Sequence, residues 1–304
     1  MDGRPRNRQN ESVFEGFETR EIAVSDTTIH ARIGGSGPPV LLLHGYPETG
    51  ACWHAVAPVL AERFTVVVPD LRGYGASGKP ASDPEHLAYS KRTMAQDMVD
   101  VMVILGHGRY AVAGHDRGGR VAYRMALDHP ERVTKLAVLD IVPTYATWEA
   151  MNWRSAIGSY HWQFLAQAEP LPERLIAADP VFYLHDTIAR WANPGFVFDP
   201  DALAEYEAAF SNPATVHACC EDYRAGASID YALDQADLGT RKITCPLLCL
   251  WGDRGRPVAG PDFRLPTWRE WADDVSGGPV ACGHFLPEEA PAETASRLLA
   301  FFAG

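Results

Sequence analysis

The sequence predicts an α/β fold, a mostly parallel sheet with helices on both faces and a helical cap inserted into it. Three observations carry this expectation. Short apolar runs rich in Val, Leu and Ile recur along the chain and alternate with segments of helical periodicity, the pattern of buried parallel strands joined by crossover helices. Chemistry-bearing residues stand at the carboxyl ends of such runs: His44 after "VLLL", Asp116 after "YAVAG" and Asp140 after "KLAVL". That is where open α/β sheets place their ligands. Between Ile141 and about Thr240 the pattern changes to Trp-, Tyr- and Pro-rich helical pieces without clear buried strands.

In chain order, "REIAV" and "IHARIGG" read as a hairpin turning at Ser25-Asp26. "PPVLLLHG" is a short strand ending in a turn, and "FTVVVPD", "RYAVAGHD", "KLAVLD" and "PLLCLWGD" continue the series. "YSKRTMAQDMVDVMVILG" and "GGRVAYRMALDHP" supply helices between the earlier strands. The sheet resumes at "ITCPLLCLWG", and the chain closes with the helix "APAETASRLLAFFAG". These assignments divide the chain into a first core part at residues 1–140, a helical cap at 141–240 and a second core part at 241–304. "GGSGPP" resembles a dinucleotide loop superficially, but Pro38 and Pro39 follow where a helix should begin. No cofactor is expected.

Composition narrows the function classes. The 304 residues, 46% hydrophobic and 22% charged, suit a globular protein with a large core. A formal charge of -12 argues against a general nucleic-acid or anionic-membrane surface, so an anionic ligand needs a local basic pocket. The opening "MDGRPRNRQNE" lacks the apolar core of a signal peptide, and no stretch approaches the ~20 apolar residues of a membrane span. A cytoplasmic protein is expected. Six cysteines (Cys52, Cys219, Cys220, Cys245, Cys249, Cys282) show no zinc-type pairing, which favours buried reduced thiols and no metal site.

Residues 114–119, "GHDRGG", have the form of a nucleophile elbow, G-x-S-x-G, with Asp116 in the place of serine. A serine attacks carbonyls, whereas a carboxylate attacking a saturated carbon displaces a leaving group and becomes an ester of the enzyme. The substrate carbon is therefore expected to carry a leaving group. A base must then activate a water to hydrolyse the ester. His284 in "CGHFLPEEAP", in a glycine turn before the last helix, is the candidate base. His107, His129 and His185 have no such context and read as surface residues.

Together "HGYPETG", "GHDRGGRVAYR", "AVLDIVPTY" and "CGHFLPEEAP", with "YHWQFLAQ" and "CEDYRAG" in the cap, resemble the α/β-hydrolase superfamily, and within it the haloacetate dehalogenases, specifically the fluoroacetate dehalogenases. The resemblance covers nearly the whole chain except the N-terminal tail, with "WANPGFVFDP" as a stretch near the entrance that departs from the pattern. It implies the α/β-hydrolase fold and the chain order nucleophile, acid, base. Relatives commonly carry the acid just past the strand equivalent to "LLCLWG", at a position that holds Gly255 here. Asp140 is thus the expected partner of His284, and Asp253, two residues early, reads as a turn residue. The oxyanion formed during ester hydrolysis is expected on the backbone N–H groups of Tyr46 and Arg117.

Epoxide hydrolases and haloalkane dehalogenases resemble this elbow but usually carry tryptophan after the aspartate. Arg117 there, with Arg120, can grip a carboxylate through forked hydrogen bonds and keep Asp116 ionised. Arg124 and Arg132 read as helix-surface residues. The expected substrate is a small anionic 2-haloacid, fluoroacetate above all, converted with water to glycolate and fluoride. Fluoride leaves poorly without hydrogen-bond donors, and the resemblance implies His161, Trp162 and Tyr223 for that task. Trp191 is expected in the pocket lining, whereas Trp148 and Trp153 read as cap packing. The resemblance also implies a homodimer. Two rivals stand beside this reading: an epoxide hydrolase recruiting tyrosines from among Tyr145, Tyr160 and Tyr223, and a non-catalytic binding protein on a hydrolase fold.

Overall fold

The computed structural model describes residues 14–254 and 263–304; the basic N-terminal tail and Gly255 lie outside the described residues. β1 (Glu18–Val24) and β2 (Thr27–Gly35) form an antiparallel hairpin in which Val24 faces Thr27, so Ser25 and Asp26 make the turn. β3 (Pro39–Leu43), β4 (Thr65–Pro69), β5 (Tyr110–His115), β6 (Val133–Leu139), β7 (Leu247–Gly252) and β8 (Val275–Val280) complete an eight-stranded sheet of order β1-β2-β4-β3-β5-β6-β7-β8. From β4 to β8 every neighbouring pair is parallel. All residues of β5 and β7 are buried, because a parallel strand covered on both faces has no polar side to present.

α1 (Ala57–Ala61), α2 (Lys91–Ile104) and α3 (Asp116–Asp128) lie between the early strands; α3 packs along β5 and β6, α2 along α3, and α1 against β2 and β4. Between β6 and β7 the regular structure is helical: α4 (Thr144–Glu149), α5 (Trp153–Gly158), α6 (Tyr160–Leu165), α7 (Leu171–Ala177), α8 (Pro180–Trp191), α9 (Pro200–Phe210), α10 (Pro213–Gly226) and α11 (Ile229–Asp237). The prolines of this stretch mark helix starts. Pro180, Pro200 and Pro213 occupy first helical positions, and Asp179, Asp199 and Asn212 before them accept hydrogen bonds from the free N–H groups of the first turn. Polar clasps tie the insertion to β2 and to α3: Arg32 to Glu205 at 2.8 Å, Tyr123 to Asp234 at 2.7 Å and Arg124 to Asp237 at 2.7 Å. α12 (Arg264–Trp271), α13 (Leu286–Glu289) and α14 (Pro291–Ala303) complete the core.

Three local expectations change. β8, "VSGGPV", is an edge strand whose mixed burial and Gly-Pro content hide it from a search for apolar runs, and its edge position is what tolerates Pro279. Arg124 is only 2% exposed, because helix periodicity turns it under α11, where it pairs with Asp234 and Asp237. Trp153 does not pack in the insertion: it is 66% exposed, with the Arg154 guanidinium 4.6 Å above its ring. Trp148 does pack, against Trp162 and through an indole N–H donated to Gly226 O at 2.9 Å. All six cysteines are buried and unpaired. Among the described residues no helix is long and apolar enough to cross a membrane.

Candidate active site

The register of the parallel strands gathers the reactive side chains. Leu43 pairs with Gly114, and His115 with Leu139, so the residues just past β3, β5 and β6 lie side by side at one edge of the sheet. Asp116 begins α3 with φ of +46°, a left-handed conformation that costs a non-glycine residue about 1–3 kcal/mol and is retained where surrounding structure enforces it. Close approach is enforced by glycine. A Cβ on Gly118 would lie 2.3 Å from His44 O, and one on Gly45 would lie 2.5 Å from Asp116 Cβ. The G-x-D-x-G spacing is thus a requirement of backbone contact between α3 and β3.

The two oxygens of Asp116 have different surroundings. Oδ1 accepts the Tyr46 backbone N–H at 3.0 Å, whereas Oδ2 lies 3.8 Å from His284 Nε2, too far for a direct hydrogen bond. Burial alone would raise the carboxyl pKa, but the surrounding His284, His115, Arg120 and Arg117 outweigh it and hold the group at about 2. Asp116 is therefore an anion with one pinned oxygen and one free.

His284 reaches this position from the β8–α13 connection. Its N–H donates to Trp191 O at 3.0 Å, and its ring Nδ1 meets Asp140 Oδ2 at 2.6 Å. A carboxylate can only accept, so Nδ1 carries the hydrogen and Nε2, buried and without a partner, presents its lone pair. Asp140 also has a positive φ, +54°, and its Oδ1 accepts from Arg264 at 3.1 Å. Burial opposes ionisation of Asp140, yet its hydrogen bond to His284 and the charge of Arg264 lower its pKa. Arg264 was not found in the sequence, where nothing near it signals a partner 124 residues away. Asp253, by contrast, has a side chain 47% exposed beside Arg254.

The two arginines differ more than their spacing suggests. Arg120 donates to Val142 O at 2.9 Å and Thr144 Oγ1 at 3.2 Å, lies with its guanidinium 4.5 Å from the Trp162 ring, and keeps Nε without a partner. Arg117 is bound by Asp222 through Nε, at 3.0 Å, and through Nη2, leaving Nη1 as its unpartnered nitrogen. Asp222 is a carboxylate of "CEDYRAG" that sequence reading missed, and it also takes Lys91 and the Tyr74 hydroxyl. Its place one residue before Tyr223 was the available signal.

From the insertion, Tyr223 stands edge-on to Tyr46, His161 and Trp162, at ring separations of 5.3, 5.6 and 5.7 Å. The Tyr223 hydroxyl and His161 Nδ1 are buried without partners. Burial first, then the nearby cations, push the His161 pKa down to about 3, so its ring is neutral; burial also raises Tyr223 well above the phenol range. Trp191 packs 4.4 Å from His161 and 5.3 Å from His284.

These groups border a cavity of about 120 Å³, lined by Asp116, Arg120, Asp140, His161, Trp162, Trp191 and His284 together with Arg264, Thr147, Ser159 and apolar residues. Tyr46, Arg117 and Tyr223 contact this wall without belonging to it. Among the described residues no cluster of three or more His, Cys, Asp or Glu side chains is arranged to hold a metal ion. The site can present an ionised carboxylate, an unoccupied imidazole nitrogen and several unpaired donors to a small molecule.

The model of the α/β-hydrolase fold family matches residues 38–255. The chain is 44% identical over 290 residues to a fluoroacetate dehalogenase of a Burkholderia species, 95% of each chain, and 36% identical to a soluble epoxide hydrolase of Corynebacterium sp. strain C12, over 93% of this chain and 96% of that one. A solved chain from Nostoc sp. PCC 7120, assigned to the α/β hydrolases, superposes with a TM-score of 0.91 at 51% identity, covering 94% of this chain and 97% of that one.

Proposed function

The chain belongs to the α/β-hydrolase family, and within it to the haloacetate dehalogenases; from that premise we propose that it hydrolyses short 2-haloacids, fluoroacetate foremost, through an ester on Asp116. One observation carries the reading: an ionised carboxylate and unpaired guanidinium and imidazole nitrogens line a small cavity, with the unpaired Tyr223 hydroxyl packed against its wall. That cavity is well below the ~300–1,000 Å³ of sites for drug-sized ligands. An anion of a few heavy atoms suits both its size and its charge.

Asp116 Oδ2 attacks the halogen-bearing carbon; the carbon–oxygen bond forms as the carbon–fluorine bond breaks, and fluoride leaves with the bonding pair. Arg120, with Nη1 of Arg117, holds the substrate carboxylate, and His161, Trp162 and Tyr223 donate to the departing fluoride. His284 Nε2 then removes a proton from water, whose oxygen adds to Asp116 Cγ. The carbonyl oxygen Oδ1 takes up the negative charge against the Tyr46 N–H already 3.0 Å away, with the Arg117 N–H as the second donor. Collapse of this intermediate releases glycolate, and the imidazolium returns its proton.

The epoxide reading needs two tyrosine hydroxyls at the nucleophile. Tyr145 instead packs against Tyr231 at 5.0 Å and Tyr160 is 37% exposed, and neither lines the cavity, which favours the haloacid. Fluoride released from fluoroacetate, read with an ion-selective electrode, tests the proposal directly. Arg120→Leu removes a charge-assisted arm typically contributing about 1.5–3 kcal/mol, so fluoroacetate turnover falls more than about tenfold. Turnover of 1-chlorobutane or styrene oxide with fluoroacetate untouched overturns the reading.

Fluoride gains more from hydrogen bonding than larger halides do. Tyr223→Phe is therefore expected to slow defluorination by about 10²–10³-fold, the usual cost of one transition-state donor, and to slow dechlorination of chloroacetate less. Equal losses on the two substrates would assign Tyr223 to packing alone.

A further inference from the structure

The cavity is walled by charges of both signs, and their sum bears on which molecule it admits. Among the described residues that line it, Asp116 and Asp140 are the anions and Arg120 and Arg264 the cations. The His161 ring is neutral, and so is the His284 ring, with its hydrogen on Nδ1. Arg117 stands behind this wall, its charge taken up by Asp222. Two carboxylates therefore face two guanidinium groups.

The two cations are placed differently. Arg120 has no carboxylate partner among the described residues; its hydrogen bonds go to Val142 O and to the Thr144 and Thr147 hydroxyls, so its charge is free for a ligand. Arg264 makes an ion pair with Asp140, Nη2 donating to Oδ1 at 3.1 Å while Oδ2 is taken by His284. α12 docks on this corner through one face. Trp268, one turn beyond Arg264, donates its indole N–H to Ile141 O at 3.1 Å, beside Asp140, and the Arg264 guanidinium lies 5.6 Å from the Trp251 ring of β7. The side chains of Arg264 and Asp140 are only 14% and 11% exposed, so salt and water screen their charges little.

A histidine base needs a carboxylate partner whatever its substrate, but the charge of that partner is harmless only toward a neutral molecule. Toward an anion it is repulsive. Without Arg264, an anion entering this cavity would meet two carboxylates against the single charge of Arg120. The structure assigns Arg264 as a specificity-determining residue that cancels the Asp140 charge on the cavity wall and so admits a small carboxylate beside the base. It acts through Asp140 and needs no contact with the substrate. A neutral epoxide or haloalkane gains nothing from this pairing. The charge balance stands on the contacts described; its meaning for catalysis rests on the haloacid reading above.

Acetate, an unreactive anion of the substrate's size, is the probe, and its binding is followed by NMR titration. Arg264→Gln keeps a donor for Asp140 Oδ1 and removes only the charge, so acetate affinity should fall about tenfold or more, the scale of one unit charge acting across a partly buried site. Arg264→Lys keeps the charge and should bind within about threefold of native. Arg264→Gln combined with Asp140→Asn removes one charge of each sign, and affinity should return to within about threefold of native, a rescue that a packing or hydrogen-bonding role does not give. Native affinity in Arg264→Gln, an equal loss in Arg264→Lys, no recovery in the double variant, or no acetate binding by the native protein overturns the proposal. Fluoride release from fluoroacetate by the native protein is measured alongside. Its absence with the acetate pattern intact removes the haloacid reading alone; its presence with acetate binding unchanged in Arg264→Gln removes the role of Arg264 alone.

Discussion

In His284→Asn the protein reacts once and stops. After exposure to fluoroacetate, mass spectrometry finds a glycolyl ester on the peptide that carries Asp116, and steady turnover falls by at least about 10⁴-fold. The two halves of the reaction depend on different groups. Ester formation needs an ionised Asp116, and that carboxyl is held at about 2 by four neighbouring groups, of which His284 is one. Arg120, Arg117 and His115 remain after the substitution, so the carboxylate still attacks. Ester hydrolysis needs the lone pair of His284 Nε2, which asparagine cannot supply. Asp116→Ala forms no adduct and releases no fluoride. An unmodified Asp116 peptide in His284→Asn, with fluoride still released, would mean that water attacks the substrate directly.

Much of the fold could be read from the sequence because a strand buried on both faces must be apolar along its whole length. "VLLL", "TVVVP", "YAVAGH" and "LLCLWG" announce β3, β4, β5 and β7 for that reason alone. β8 escaped because an edge strand needs little burial, so Gly277, Gly278 and Pro279 fit where a central strand would exclude them. The elbow was legible because backbone contact at Gly118 leaves no room for a side chain and so restricts local sequence. The supporting carboxylates were not. Asp222 meets Arg117 across 105 positions and Glu48 meets His115 across 67, and such pairings follow from tertiary packing that leaves no local pattern. Arg124 shows the same limit from the other side: its charge suggested solvent, but a buried guanidinium needs only partners, and Asp234 and Asp237 lie on a helix far along the chain.

The choice of acid gives the second large effect. Asp140→Asn is expected to slow ester hydrolysis on the order of 10⁴-fold, the size seen when the aspartate of a serine-protease triad becomes asparagine. The geometry explains why a change of one atom matters this much. Asp140 Oδ2, 2.6 Å from His284 Nδ1, can only accept while ionised, which forces the hydrogen onto Nδ1 and the lone pair onto Nε2. An asparagine can turn its NH₂ toward Nδ1 and stabilise the opposite tautomer, whose Nε2–H cannot deprotonate water. It also withdraws the negative charge that stabilises the imidazolium formed as the proton is taken. Asp140 is kept ionised by its hydrogen bond to His284 and by the Arg264 charge, so its own titration lies below the ordinary carboxylate range. Ester formation changes little in Asp140→Asn, because Oδ2 of Asp116 is activated by other cations, and the glycolyl ester accumulates as it does in His284→Asn. Asp253→Asn is the control: its side chain is half exposed beside Arg254, and its replacement leaves both steps within about twofold of native, as surface substitutions usually do. Ester accumulation in Asp253→Asn, with Asp140→Asn turning over normally, would move the acid to the strand after the insertion and remove Asp140 from the mechanism.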